Sequence, residues 1–232
     1  MERALSVAPS PNSLDDPKVR AVLERLHGAA RGDLFRMLGR LPTLLPMVLG
    51  RTPPDPVKFS AKMKDMYIPL SPASGRFLYL VARSLGARRI VEFGTSFGIS
   101  TLYAAAAARD NGGARVIGSE LEPGKHAKAL ANLEEAGLAG VAEVRLGDAL
   151  QTLRDVPPPV DLVLLDGWKE LYLPMLELLA PKLRPGAVVL ADNIHTFKRA
   201  LRPYVEYVQS GKSGFQSVTL PLPSGLEYSV RT

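Results

Sequence analysis

Hydrophobic positions change their spacing along this chain. In DDPKVRAVLERLHG, Val19, Val22, Leu23 and Leu26 fall on one helical face. Asp16 is placed to cap that helix, Pro17 suits its first position and Gly28 is expected to stop it. GDLFRMLGRL reads as a second helix, and residues 1–14 carry no periodic pattern and read as disordered. The stretch 42–57 holds five prolines, which predicts irregular chain. SPASGRFLYLVARSLG is a further helix, with Ser71 before Pro72 and Gly86 after the last turn.

From residue 89 onward short apolar runs alternate with helical stretches. The runs are RIVEFG (89–94), ARVIGSE (114–120), AEVRLGD (142–148), VDLVLLD (160–166) and AVVLAD (187–192). Between them stand GISTLYAAAAARD, PGKHAKALANLEEAGL, ALQTLRDV and ELYLPMLELLAPKL. Near-continuous apolar strands separated by helices predict an α/β, doubly wound, mostly parallel sheet covered on both faces. GFQSVTLPL and GLEYSVRT close the chain as two strands forming a hairpin across PSG. In such sheets ligands sit beyond the carboxyl ends of the strands.

At 232 residues, 46% hydrophobic and 22% charged, the chain suits one α/β domain with or without an appendage. No apolar run is long enough for a membrane span, and MERALSVAPSP lacks the apolar core of a secretory signal. The absence of cysteine excludes disulfides and Cys-based metal sites, and the expected compartment is the cytoplasm. The net charge of +6 is uneven: residues 1–64 hold 11 Lys and Arg against 6 Asp and Glu, and the remainder 18 against 17. A basic arm could meet nucleic acid, but no aromatic residues interleave with the charge, so a solvated helical face is the favoured reading.

The strand ends hold the candidate chemistry. The first run ends in Glu92-Phe93-Gly94-Thr95-Ser96-Phe97-Gly98. Its glycines permit a tight turn and close approach of a ligand, but the spacing misses the dinucleotide fingerprint. Glu120 closes the second run about twenty residues further on, where an acid can accept hydrogen bonds from a ribose diol. Asp148, after the third, could receive an adenine amino group or cap the following helix. Asp166 ends the fourth run and Asp192-Asn193 the fifth. Two carboxylates and a carboxamide on neighbouring strands suit a hard cation such as Mg²⁺; the structural alternative is that each caps a helix or closes a turn.

At these residues the sequence resembles the cation-dependent catechol O-methyltransferase family, densely over 71–194. VEFGTSFGIS is similar to its S-adenosylmethionine loop, SELEP to its ribose-binding segment, and LDGWKELYLP and LADN to its metal and catalytic segments. The Trp-Lys pair is the most specific element, nearer the animal catechol enzymes than the plant caffeoyl-CoA enzymes. The resemblance implies a class I methyltransferase, Rossmann-like and seven-stranded, with an antiparallel C-terminal strand; it fades over residues 1–60, where an N-terminal helical extension without a family counterpart is expected. Residues 1–66 would form an arm or cap and 67–232 the catalytic domain. The resemblance places Glu92, Gly94 and Ser100 around the methionine moiety of S-adenosylmethionine, Ser96 elsewhere along the cofactor and Glu120 on the ribose. Leu121, Asp148, Ala149 and Trp168 would line the adenine. Asp166, Asp192 and Asn193 would ligate Mg²⁺, with Asp166 also bordering the cofactor, and Lys169 would be the general base. The implied acceptor is a small catechol or phenol.

Two features depart from the family. GFQSVTLPLPS lacks the carboxylate that animal catechol enzymes carry before the closing Gly-Leu, and Met66, beside Tyr67 and Ile68, stands where they place an aromatic gatekeeper. The proline-bearing arm is expected to cap the substrate site or form a homodimer contact, and His195 is expected on a surface loop. The rival readings are a metal-independent methyltransferase on the same fold and a nucleic-acid-binding protein with a vestigial pocket. An NAD-dependent dehydrogenase is disfavoured by the missing third glycine.

Overall fold

The five apolar runs and the two closing segments all become strands of one sheet in the computed structural model, which describes residues 12–39 and 70–232 (for 33–39 the backbone alone). The strands are β1 (Arg89–Phe93), β2 (Arg115–Glu120), β3 (Ala142–Leu146), β4 (Val160–Leu165), β5 (Leu183–Ala191), β6 (Phe215–Leu220) and β7 (Leu226–Arg231). Their order is β3-β2-β1-β4-β5-β7-β6. β1 to β5 pair in parallel, and β7 lies antiparallel between β5 and β6. β6 and β7 form the expected hairpin, with Leu220 opposite Leu226.

The helices among the described residues are α1 (Pro17–Gly39), α2 (Pro72–Ser84), α3 (Ile99–Asp110), α4 (Pro123–Glu135), α5 (Ala149–Thr152), α6 (Tyr172–Leu179) and α7 (Lys198–Gln209). They cover both faces of the sheet. Alternate strand residues therefore enter separate cores: Ile90, Leu162, Leu164 and Val188 join α1 to α4, while Val91, Val163, Leu165 and Val189 join α5 to α7. Burial on both faces explains why these runs show no polar alternation.

Several expectations need correction. Gly28 does not end the first helix; α1 runs on to Gly39 and absorbs the second predicted helix. An interior glycine costs a helix only about 1 kcal/mol relative to alanine, and the following Ala-Ala-Arg has no residue that breaks it. Asp16 does cap the N-terminus, accepting from the Lys18 amide at 2.9 Å. Within the stretch expected to be disordered, Ser13–Asp15 forms a 3-10 turn. Ser13 is buried there, bonded to Asp110 and, at 2.7 Å, to Arg109 at the end of α3. α7 was not predicted: Pro203 lies inside it, yet Leu201, Tyr204 and Val208 bury one face. β5 begins at Leu183 rather than 187, opposite Val160. Residues 1–11, the prolines of 42–57 and Met66, Tyr67 and Ile68 lie outside the described residues.

Candidate active site

Parallel pairing brings the tips of β1, β4 and β5 together. Phe93 is in register with Leu165 and Leu165 with Ala191, so the next residues, Gly94, Asp166 and Asp192, emerge side by side. Two backbone bonds extend the alignment by one residue: the Asp166 amide donates to Phe93 O at 2.9 Å and the Asp192 amide to Leu165 O at 3.0 Å. Gly94 adopts φ +97°, and a Cβ there would lie 2.6 Å from Gly167 Cα. The glycine is thus required twice, for its dihedral and for the close passage of two loops.

Beyond Gly94 the loop turns through Ser96, at φ +50°, into the N-terminus of α3. The Ser96 amide donates to Glu120 Oε2 at 2.6 Å, and the Glu122 amide to Glu120 Oε1 at 2.8 Å. Glu120 at the tip of β2 is thereby held against the glycine loop. Each of its oxygens retains a second lone pair for a ligand hydroxyl. Glu92 is buried beneath the loop, its Oε2 accepting from Thr95 at 2.7 Å and Thr101 at 2.5 Å. Burial pushes its carboxyl up, against the opposing influence of the nearby hydroxyls of Ser100, Thr101 and Thr95. Glu92 Oε1 is buried without a hydrogen-bond partner, so the cradle offers an unspent acceptor. Asp148 is exposed and caps α5, accepting from the Leu150 amide at 3.0 Å; Ala149 is buried behind it. Leu121, just after β2, and Trp168, just after β4, are half-buried.

The charged centre lies between β4 and β5. After β4 the chain makes a 3-10 turn, Lys169–Leu171, that leads directly into α6. This turn buries Lys169, with Nζ 3.4 Å from Asp166 Oδ1 and 2.8 Å from Tyr172 Oη. The ammonium also lies 5.0 Å from the centroid of the Tyr172 ring and 5.6 Å from that of Phe197. Asp192 is buried too: Oδ1 accepts from Ser224 Oγ and Oδ2 from Asn193 Nδ2 at 2.9 Å. Asn193 has φ +69°, a region asparagine tolerates better than most residues.

Burial pushes the Asp166 carboxyl well up, with the Asp192 charge adding to it and Lys169 opposing. It also pushes Asp192 up and draws the Lys169 ammonium down, the latter against the pull of Asp166 and Asp192. Glu92, Asp166 and Asp192 together outnumber the single ammonium, and each has its charged form disfavoured. A divalent cation at Asp166, Asp192 and the Asn193 carboxamide would offset that excess, and an all-oxygen set is the chemistry Mg²⁺ prefers. The residues therefore fit such an ion. Among the described residues no group of three or more His, Cys, Asp or Glu side chains could hold one, so the set depends on the carboxamide.

Asp166, Lys169, Asp192 and Asn193 are thus brought together, and Glu92, Gly94, Ser96, Ser100 and Glu120 form the adjoining cradle. Tyr172, Phe197 and Ser224 escaped the sequence reading. Tyr172 stands one turn after Lys169 and could have been found from that spacing, whereas Ser224 reaches Asp192 from 32 residues away. It lies in the segment that lacks the family's carboxylate. His195 is exposed, as expected, its amide bonded to Ser224 O at 2.9 Å. No helix among the described residues is long and apolar enough to cross a membrane.

A family model described as a methyltransferase domain matches residues 91–194. Catechol O-methyltransferase of Mycobacterium tuberculosis is 40% identical over 129 residues, 55% of this chain and 57% of that protein. Catechol O-methyltransferase of Niastella koreensis is 34% identical over 131 residues, 55% of this chain and 58% of that protein. The chain thus matches under two thirds of the length of these curated relatives. The crystal structure of an O-methyltransferase from Bacillus cereus in complex with SAH aligns with TM-score 0.68 and 25% identity, over 78% of this chain and 92% of that one. Strand order, loop geometry and sequence agree: the chain has the class I methyltransferase fold, carries a methyltransferase domain over residues 91–194 and is similar to catechol O-methyltransferases.

Proposed function

We propose that this protein is an S-adenosylmethionine-dependent O-methyltransferase that uses a divalent cation, Mg²⁺ in the first instance, and acts on a hydroxyl of a small catechol-like or phenolic acceptor. The observation that carries the reading is the buried Lys169 ammonium, 3.4 Å from Asp166 at the joined tips of β4 and β5. The kinship to catechol O-methyltransferases supports the donor and the acceptor class.

In this reading Glu120 accepts the ribose hydroxyls, Glu92 faces the methionine moiety through its unpaired Oε1, and Trp168 walls the adenine. Asp166, Asp192 and the Asn193 carboxamide hold the cation. When bound, the cation lowers the pKa of an acceptor hydroxyl and S-adenosylmethionine supplies an already activated methyl group. Lys169 takes the hydroxyl proton at Nζ, for which a lowered pKa suits it near neutrality. The rigid strand tips keep oxygen and methyl in line, a proximity effect that in well-oriented systems reaches roughly 7–11 kcal/mol. The arm of residues 1–66 is assigned to capping the site or to a homodimer contact, on a catalytic domain of 67–232.

The test is a screen of phenolic acceptors with S-adenosylmethionine, with Mg²⁺ and with EDTA. Methyl transfer that needs the metal and falls by at least about a hundredfold in Lys169→Ala is expected. Calorimetry should show S-adenosylhomocysteine binding unchanged in that variant. Full activity in Lys169→Ala would place the base elsewhere. A metal-independent methyltransferase is the second reading, favoured because both Asp192 oxygens already have donors. Turnover that persists in EDTA would select it.

A further inference from the structure

We propose that Tyr172 is a positioning residue that tethers Lys169 to the tip of β5. The inference rests on the reading of Lys169 as the proton acceptor and adds to it the group that aims the amine.

Tyr172 opens α6 and is wholly buried. Its ring packs edge-on against Phe93 at 6.3 Å and Tyr204 at 5.8 Å, which fixes where its hydroxyl points. That hydroxyl accepts from Lys169 Nζ at 2.8 Å and donates to the main-chain carbonyl of Asp192 at 3.1 Å. One oxygen thus joins the amine that follows β4 to the backbone that ends β5. Among the described residues the other polar contact of Nζ is the longer one to Asp166. The rings of Tyr172 and Phe197 attract the ammonium but do not fix its direction. A lysine side chain has many rotamers, and without the hydroxyl it would be buried yet free to swing. The chain Nζ→Oη→O therefore sets the distance between the amine and the oxygens of Asp192 and Asn193.

Tyr172→Phe removes the hydroxyl and keeps both ring contacts, so a fold with unaltered cooperativity is expected. Its kcat should fall about 10- to 100-fold, the scale of a misplaced catalytic group, with S-adenosylhomocysteine affinity within twofold of wild type. In a Lys169→Met background the same change should add less than twofold, because the residue acts only through the lysine. An equal fall in both backgrounds, or no fall at all, would refute the tether. A second readout needs no turnover: in protein labelled with ¹⁵N-lysine, the Nζ resonance of Lys169, assigned by its loss in Lys169→Met, should be narrow in wild type and broadened or displaced in Tyr172→Phe. An unchanged resonance overturns the proposal. Wild-type protein that binds S-adenosylhomocysteine but methylates no phenol would sink the proposed activity instead, leaving the resonance to decide the tether.

Discussion

Asp161 is expected to hold the amino ends of β1, β4 and β5 together, and Asp161→Asn tests this. The carboxylate is buried at the start of β4. Its Oδ2 accepts from the amides of Arg88 at 2.8 Å and Arg89 at 2.9 Å, and its Oδ1 from Arg184 Nε at 2.5 Å. Asparagine keeps one acceptor oxygen but turns an N–H toward a donor and loses the charge. Charge-assisted bonds contribute about 1.5–3 kcal/mol each. Arg184 is one-third exposed, so its share is discounted to under about 1 kcal/mol by solvent screening. The two amides keep a weaker neutral acceptor. The net loss is about 2–3 kcal/mol, or a Tm lowered by about 4–12 °C for a chain of this size. Burial raises the Asp161 pKa, but the bonds from Arg184, Arg89 and Arg88 outweigh it and hold the carboxyl below its ordinary value. The group therefore stabilises the fold fully above its unfolded value, about 3.9, and that contribution disappears as pH falls through the lower folded value. Urea unfolding of both proteins from pH 7 to pH 2 should show the full gap at neutrality, narrowing below about pH 4. A gap under about 0.5 kcal/mol at pH 7, within the range of surface substitutions, or one that stays constant to pH 2, would refute the account.

Two further variants probe the ligand side. Gly94→Ala places a side chain on a residue at φ +97° with its Cβ 2.6 Å from Gly167 Cα. The left-handed strain alone is about 1–2 kcal/mol, and S-adenosylhomocysteine affinity by calorimetry should fall at least about tenfold as the two loops part; unchanged affinity and Tm would contradict the close packing. Ser224→Ala removes the donor to Asp192 Oδ1, and Mn²⁺ binding, measured by calorimetry on the protein alone, should weaken about tenfold, as when outer partners of metal ligands are removed. Equal Mn²⁺ affinity would show that Ser224 does not orient the carboxylate.

The parts of this protein that can be read from its sequence share a physical property, and so do the parts that cannot. The strands were legible because parallel pairing buries both faces, leaving continuous apolar runs such as Leu162–Leu165 whose ends are marked by the first acid. Topology then puts Asp166 beside Asp192, because Leu165 pairs with Ala191. What failed was the weighing of opposed local preferences: Gly28 and Pro203 look like helix breakers, yet α1 and α7 pass through them because packing of Val19, Val22 and Leu26, or of Leu201, Tyr204 and Val208, outweighs a local cost. Asp161 went unnoticed inside an apolar run because its three donors come from β5 and from the entry to β1, distant in sequence. The same division holds within the site. Asp166 and Lys169 are close in sequence, and Asp192 is brought to them by one strand pairing. The groups that orient them belong to a second tier of geometry. Tyr172 reaches Lys169 only because a 3-10 turn runs straight into α6, and Ser224 reaches Asp192 only because the β6–β7 hairpin folds onto the loop after β5, with the Ile194 and His195 amides donating to Gly225 O and Ser224 O. Charge at a strand tip needs only topology to be useful, whereas aim needs ångström-scale register between elements. A substitution that spares every charged residue can therefore still disable the site by moving Tyr172 or Ser224.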